Sequence, residues 1–129
     1  MRRNQILNEL AQCTGSEGLF YNRLFKDVKY TDGIKLMVEI CGSYWFLTDV
    51  LANCVALQKE HEFISVKLHK EENEDKCFIA YDDGNDNIIL SIDYSFTDFP
   101  LYNYTKDERK RSAMHLYCTN GVLHLPSEY

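Results

Sequence analysis

Hydrophobic residues recur at helical spacing through the first half of the chain and at every second position through much of the rest. Ile6, Leu7, Leu10 and Ala11 form one apolar stripe and predict a helix over about residues 4–13, stopped by Thr14-Gly15. Leu19, Phe20, Tyr21, Leu24 and Phe25 are too apolar for a free loop, and residues 16–30 read as a short packed helix. Thr31 or Asp32, ahead of Gly33, can accept a hydrogen bond from a first-turn N–H. The stripe Ile34, Met37, Val38 and Cys41 follows, with Lys35 and Glu39 outward, and Gly42-Ser43 supplies a stop and a new cap. Residues 44–57 are apolar on nearly every side, the mark of a helix buried by several neighbours.

From Glu62 the period becomes two. Ile64, Val66 and Leu68 alternate with Ser65, Lys67 and His69 as in a half-buried strand. Residues 71–75 form a polar turn, 77–82 a second strand, and Asp83-Gly84-Asn85-Asp86 a turn. Residues 88–94 are a third strand with Leu90, Ile92 and Tyr94 inward, closed by Thr97-Asp98-Phe99-Pro100. Residues 106–111 read as a charged connector with room for a helical turn. Residues 114–118 and 122–125 are strands joined at Asn120-Gly121, the strongest hairpin signal in the chain. Helices followed by a meander predict an α+β fold: N-terminal helices on one face of a C-terminal antiparallel sheet of about five strands. One domain spans residues 1–129, with a helical half to about residue 61 and a sheet half from about residue 62.

Composition agrees with a folded chain. Of 129 residues, 45% are hydrophobic and 13% aromatic, enough to build a core without metal or crosslinks. Met1-Arg2-Arg3 leads into Asn4, Gln5, Asn8, Glu9 and Gln12, which interrupt any signal-peptide core. The apolar patch at 44–57 is broken by Thr48, Asp49 and Asn53 and falls short of the ~20 residues a membrane span needs. The expectation is a cytoplasmic protein. Its five scattered cysteines, Cys13, Cys41, Cys54, Cys77 and Cys118, then read as reduced core thiols.

Charge is uneven. The whole net charge of −6 belongs to residues 62–129; residues 1–61 are neutral. An acidic sheet half argues against direct binding of nucleic acid or anionic membrane, which select Lys and Arg stripes. It suits solubility and permits a protein partner with a basic surface.

Three stretches resemble a known family: Tyr30-Thr31-Asp32-Gly33 with Gly42-Ser43-Tyr44-Trp45 and Asp49; Thr97-Asp98-Phe99-Pro100; and the C-terminal run from Asn120-Gly121-Val122-Leu123-His124 through Leu125-Pro126-Ser127-Glu128-Tyr129. The family is one of small uncharacterised proteins, a domain of unknown function met in bacterial genomes, phages and plasmids. The resemblance runs from about Thr14 to Tyr129. It implies a phage-associated or mobile-element accessory protein and brings no activity, cofactor or catalytic residue with it. Residues 101–112 are longer and more basic than the resemblance leads one to expect.

Candidate chemistry is sparse. In the acidic run from Asp82 to Asn87, Gly84 is third and the twelfth residue is Asp93, so a hairpin turn explains it better than an EF-hand. His115 and Cys118 are three apart, and on a strand that spacing sends them to opposite faces, against a zinc site with His124. No phosphate-binding glycine loop, nucleophile elbow or HExxH is present, and no cofactor, metal or catalytic residue is expected.

Asp49 stands out. It shares a helix face with Trp45, Ala52 and Ala56, and a carboxylate there needs partners or a proton. It either anchors neighbouring backbone near residues 30–33 or lines a cleft with Tyr44 and Trp45. Those three residues are the candidate ligand- or partner-binding positions. The functional expectation is a small non-enzymatic interaction or accessory protein. Its rival is a small-molecule-binding or hydrolytic domain with a site between the central helix and the sheet.

Overall fold

In the computed structural model, which describes residues 5–6 and 19–128, two helices pack on a mostly antiparallel seven-stranded sheet, an α+β arrangement. The strands are β1 (Leu19–Asn22), β2 (Phe25–Thr31), β3 (Phe63–His69), β4 (Cys77–Asp82), β5 (Ile88–Tyr94), β8 (Met114–Thr119) and β9 (Val122–His124). Their order is β1-β2-β9-β8-β3-β4-β5, and a separate ribbon pairs β6 (Tyr104–Lys106) with β7 (Arg109–Arg111). Among the described strands only the β2–β9 pair is parallel.

Both central helices form where their patterns place them. Helix α1 (Asp32–Cys41) is capped by Thr31, whose hydroxyl accepts from the Ile34 N–H, and ends at Gly42 in the left-handed region at φ 61°. Helix α2 (Tyr44–Leu57) buries Phe46, Leu47, Val50, Leu51 and Cys54. Ser43 sits at its N-cap, but the hydroxyl turns to the Met37 sulfur and leaves the helix N–H groups uncapped by a side chain. Gln5 and Ile6 are helical, and Ile6 is buried in the core; the rest of the predicted first helix, with Cys13, lies outside the described residues.

Two expectations are corrected. The predicted short helix over 16–30 is, from Leu19 onward, the β1–β2 hairpin, and this hairpin raises the strand count above five. The Asn22 carboxamide accepts from the Leu24 N–H and turns the chain where no glycine marks a bend. β2 then joins β9 side by side, Lys29 opposite Val122 and Tyr30 opposite Leu123, so the N-terminal half contributes strands to the sheet and is not purely helical. The charged connector at 106–111 is the β6–β7 ribbon, bent at Asp107 and Glu108, which both take positive φ.

The core lies between the helices and one sheet face. Ile64, Val66 and Leu68 of β3 meet Ile79 and Tyr81 of β4 and Leu116 and Cys118 of β8, all fully buried or nearly so. Phe99 stacks edge-on against Phe46 at 5.6 Å and, with Leu101, closes one end. Each such side chain contributes ~1.5–3 kcal/mol when fully buried. α2 packs against β2 and β3, and its Asn53 reaches the Tyr81 hydroxyl on β4.

The C-terminus closes the structure. Leu125 is buried and residues Pro126–Glu128 form a 3₁₀ turn. The Glu128 carboxylate accepts from the Thr31 hydroxyl at 2.6 Å, the Leu125 N–H at 3.0 Å and the Gly33 N–H at 3.3 Å. A Cβ on Gly33 would stand 2.5 Å from Glu128 Oε1 and 2.8 Å from Leu125 Cδ1. Two of the resemblance stretches thus meet as one tether, and glycine is what lets them approach.

Candidate functional site

α2 directs Trp45, Asp49 and Asn53 toward the last two strands of the sheet. Trp45 packs on Tyr94 of β5 at 5.5 Å between ring centroids, and the Tyr94 phenol lies beside the Asp49 carboxylate. Burial, and then that carboxylate, push the Tyr94 hydroxyl well above its ordinary pKa; burial does the same to Tyr81. Asn53 donates to the Tyr81 hydroxyl at 3.0 Å. Asp49 thus neighbours a phenol on β5, and no hydrogen bond joins it to the backbone of residues 30–33. Tyr44 stands apart on the first turn, 62% exposed, so the structure joins Trp45 and Asp49 through Tyr94 and leaves Tyr44 on the surface.

Tyr94 also lines a cleft of about 640 Å³ at the ends of β3, β4 and β5. His69 and Phe78, opposite one another in the register, stack at 4.6 Å and form part of its wall. Lys70, Glu71 and Asn103 lie at its rim, where the Asn103 N–H donates to the Lys70 carbonyl at 2.7 Å and the Thr97 N–H to the Asp75 carbonyl at 2.5 Å. These two tethers fix the loop after β5 to the β3–β4 connection. Glu71 is held by Lys110 at 2.6 Å, which lowers its pKa. Burial first, and Lys67 next, lower the pKa of His69, so its ring enters the cleft uncharged at neutral pH.

The sheet face turned away from the core carries a second polar group that single-strand patterns do not reveal. Ser65 and His115 share a 2.7 Å hydrogen bond, and Lys67 pairs with Asp82 at 3.8 Å. Burial and the Lys67 charge push the His115 pKa down to about 4, against the opposing pull of Asp82. A Ser–His pair invites a nucleophile reading. Ser65 is only 3% exposed, mid-strand between β4 and β8, and an imidazole of such low basicity removes little of a proton near neutral pH. The pair instead holds β3 and β8 in register. His124 is similarly occupied: its Nδ1 donates to the Leu125 carbonyl at 3.0 Å, and Nε2 lies 3.1 Å from the Thr119 hydroxyl.

Strand parity separates the remaining candidates. Cys118 is buried in the core while His115 faces the other side, and no cluster of three or more His, Cys, Asp or Glu suited to a metal occurs among the described residues. The Cys118 thiol instead lies beside Cys54 of α2, and this neighbour and burial raise the Cys54 pKa well above that of a free thiol. The four described cysteines are unpaired by disulfides. In the acidic turn, the Asp82 and Asp83 carboxylates accept from the Gly84 and Asn85 N–H groups, as in a hairpin.

These observations define a two-layer α+β protein with an open cleft at the strand ends. The chain belongs to the family of unknown function DUF6876, whose model matches residues 4–129. Searches of curated proteins and of solved structures found no match. No described helix is long and apolar enough to cross a membrane.

Proposed function

We propose that this is a small, non-enzymatic, cytoplasmic interaction protein, an accessory of a phage or mobile element, that binds a protein partner with a basic surface. The supporting observation is the unneutralised acidity of the sheet half. Among its acidic residues, all but Asp82, Asp83 and Glu128 are exposed. Of those exposed carboxylates, Glu71 alone is paired with a cation among the described residues. A net excess of surface charge of one sign steers an oppositely charged partner and selects against nucleic acid. The test is recovery of tagged full-length protein from its native host at low and high salt. A stoichiometric protein partner lost at high salt supports this reading.

The cleft supports the alternative of small-molecule binding, since an aromatic wall beside polar groups is the usual composition of such sites. Recovery with no protein partner, and with a metabolite identified by mass spectrometry, would favour that alternative.

A further inference from the structure

We propose that the outer edge of β5 receives an extended segment of a basic partner protein, added to the sheet as a further strand. The inference rests on the interaction reading above and names the surface and the partner's chemistry. β5 ends the sheet, and none of the described residues pairs with its outward backbone groups. An unpaired strand edge is a template for another chain, and proteins usually blunt it with lysine, proline, a bulge or shortness.

The opposite edge is blunted in this way. The register of β1 slips between Phe20 and Asn22, and Arg23 follows at the turn. β5 has seven residues, Ile88–Tyr94, with neither Lys, Arg nor Pro among them. Its register irregularity is confined to its first residues, opposite Tyr81 and Asp82. Ile88 is 66% exposed and Phe96, just beyond the strand, 70% exposed. Ile89, Leu90 and Tyr94 pack on the core yet stay partly exposed. An added strand with apolar side chains at alternate positions would complete their cover.

Charge identifies the occupant. Residues 77–105 contain Asp82, Asp83, Asp86, Asp93 and Asp98 and no Lys or Arg. A second copy would bring this acidic run against itself, which like-charge repulsion opposes. A strand flanked by lysine or arginine is complementary. The cleft lined by Asp93 and Tyr94 adjoins the end of β5 and offers room for one of its side chains.

The test uses isotope-labelled full-length protein and three synthetic nine-residue peptides: a core of alternating valine and threonine flanked by lysines, the same core flanked by glutamates, and the lysine peptide with a central proline. The lysine peptide should slow exchange of alternate amides within residues 88–94. The glutamate peptide should bind at least about tenfold more weakly, and the proline peptide should give no protection. Asp93→Lys with Asp98→Lys, both at exposed positions, should reverse the peptide preference. Equal binding of the lysine and glutamate peptides overturns the proposal. So does protection on β1 or on no strand, or a dimer whose β5 amides are protected without peptide. A native partner still recovered by the Asp93→Lys/Asp98→Lys protein at unchanged yield sinks the β5 inference and leaves the interaction reading intact. Peptide binding at β5 with no native partner recovered does the reverse.

Discussion

Glu128→Ala removes the tether between the chain's end and the first turn of α1. Three donors lose their acceptor: the Thr31 hydroxyl, the Leu125 N–H and the Gly33 N–H. Hydrogen bonds to a charged group contribute ~1.5–3 kcal/mol, and a carboxylate at a helix N-terminus adds ~0.3–1 kcal/mol. Glu128 is half-buried, and the expected loss is about 2–3 kcal/mol. In Gly33→Ala two effects of opposite sign compete. Alanine in a helix is normally better than glycine by ~1 kcal/mol. Here its Cβ would stand 2.5 Å from Glu128 Oε1 and 2.8 Å from Leu125 Cδ1, and such crowding costs ~1–3 kcal/mol in a packed site. Net destabilisation is therefore expected in the native background. It should shrink by about 1 kcal/mol or more once Glu128 is alanine, because contacting residues are not additive. Urea unfolding followed by the fluorescence of Trp45, the single tryptophan, measures all four proteins of the cycle. A stabilising Gly33→Ala, or additivity within about 0.5 kcal/mol, would refute the tether.

Stability should fall as pH drops from about 6.5 toward 4, because the folded state holds His115 neutral to about 4 while the unfolded chain protonates earlier. After a discount for partial exposure the effect is ~1–3 kcal/mol, and urea midpoints at pH 7 and 4.5 should differ less in His115→Gln than in the native protein. Asp49→Asn should cost ~1–2 kcal/mol by weakening its interaction with the neighbouring Tyr94 phenol, with Tyr94→Phe costing less in that background than alone; a full separate cost for each would disconnect them. Replacing Asp107-Glu108, both at positive φ, by Asn-Gly should raise the melting temperature by a few degrees through relief of ~1 kcal/mol of backbone cost, and an unchanged midpoint would show the ribbon is uncoupled from global unfolding.

Elements whose information is local were legible in the sequence. The 3.6-residue stripe from Ile34 to Cys41, bracketed by Thr31 and Gly42, and the period-two alternation of β3 formed as their patterns require. So did the turn at Asn120 and Gly121, where both residues take positive φ. The β6–β7 ribbon escaped notice because its positive-φ turn uses Asp107 and Glu108 in place of the usual asparagine and glycine. β1 and β2 escaped because their apolar run suits either period, and what makes β2 a strand is its alignment with β9 from the far end of the chain.

The candidate site divides along the same line. That a buried Asp49 would need a partner is an argument from desolvation; that Tyr94 lies beside it is visible only in the tertiary structure. Nor could spacing bring Ser65 to His115, Cys54 to Cys118, or Thr31 to Glu128, which lie 97 residues apart. A residue pattern states which side of an element must leave water. It does not state which other element will cover that side, because that choice is settled by packing and pairing summed over the whole chain.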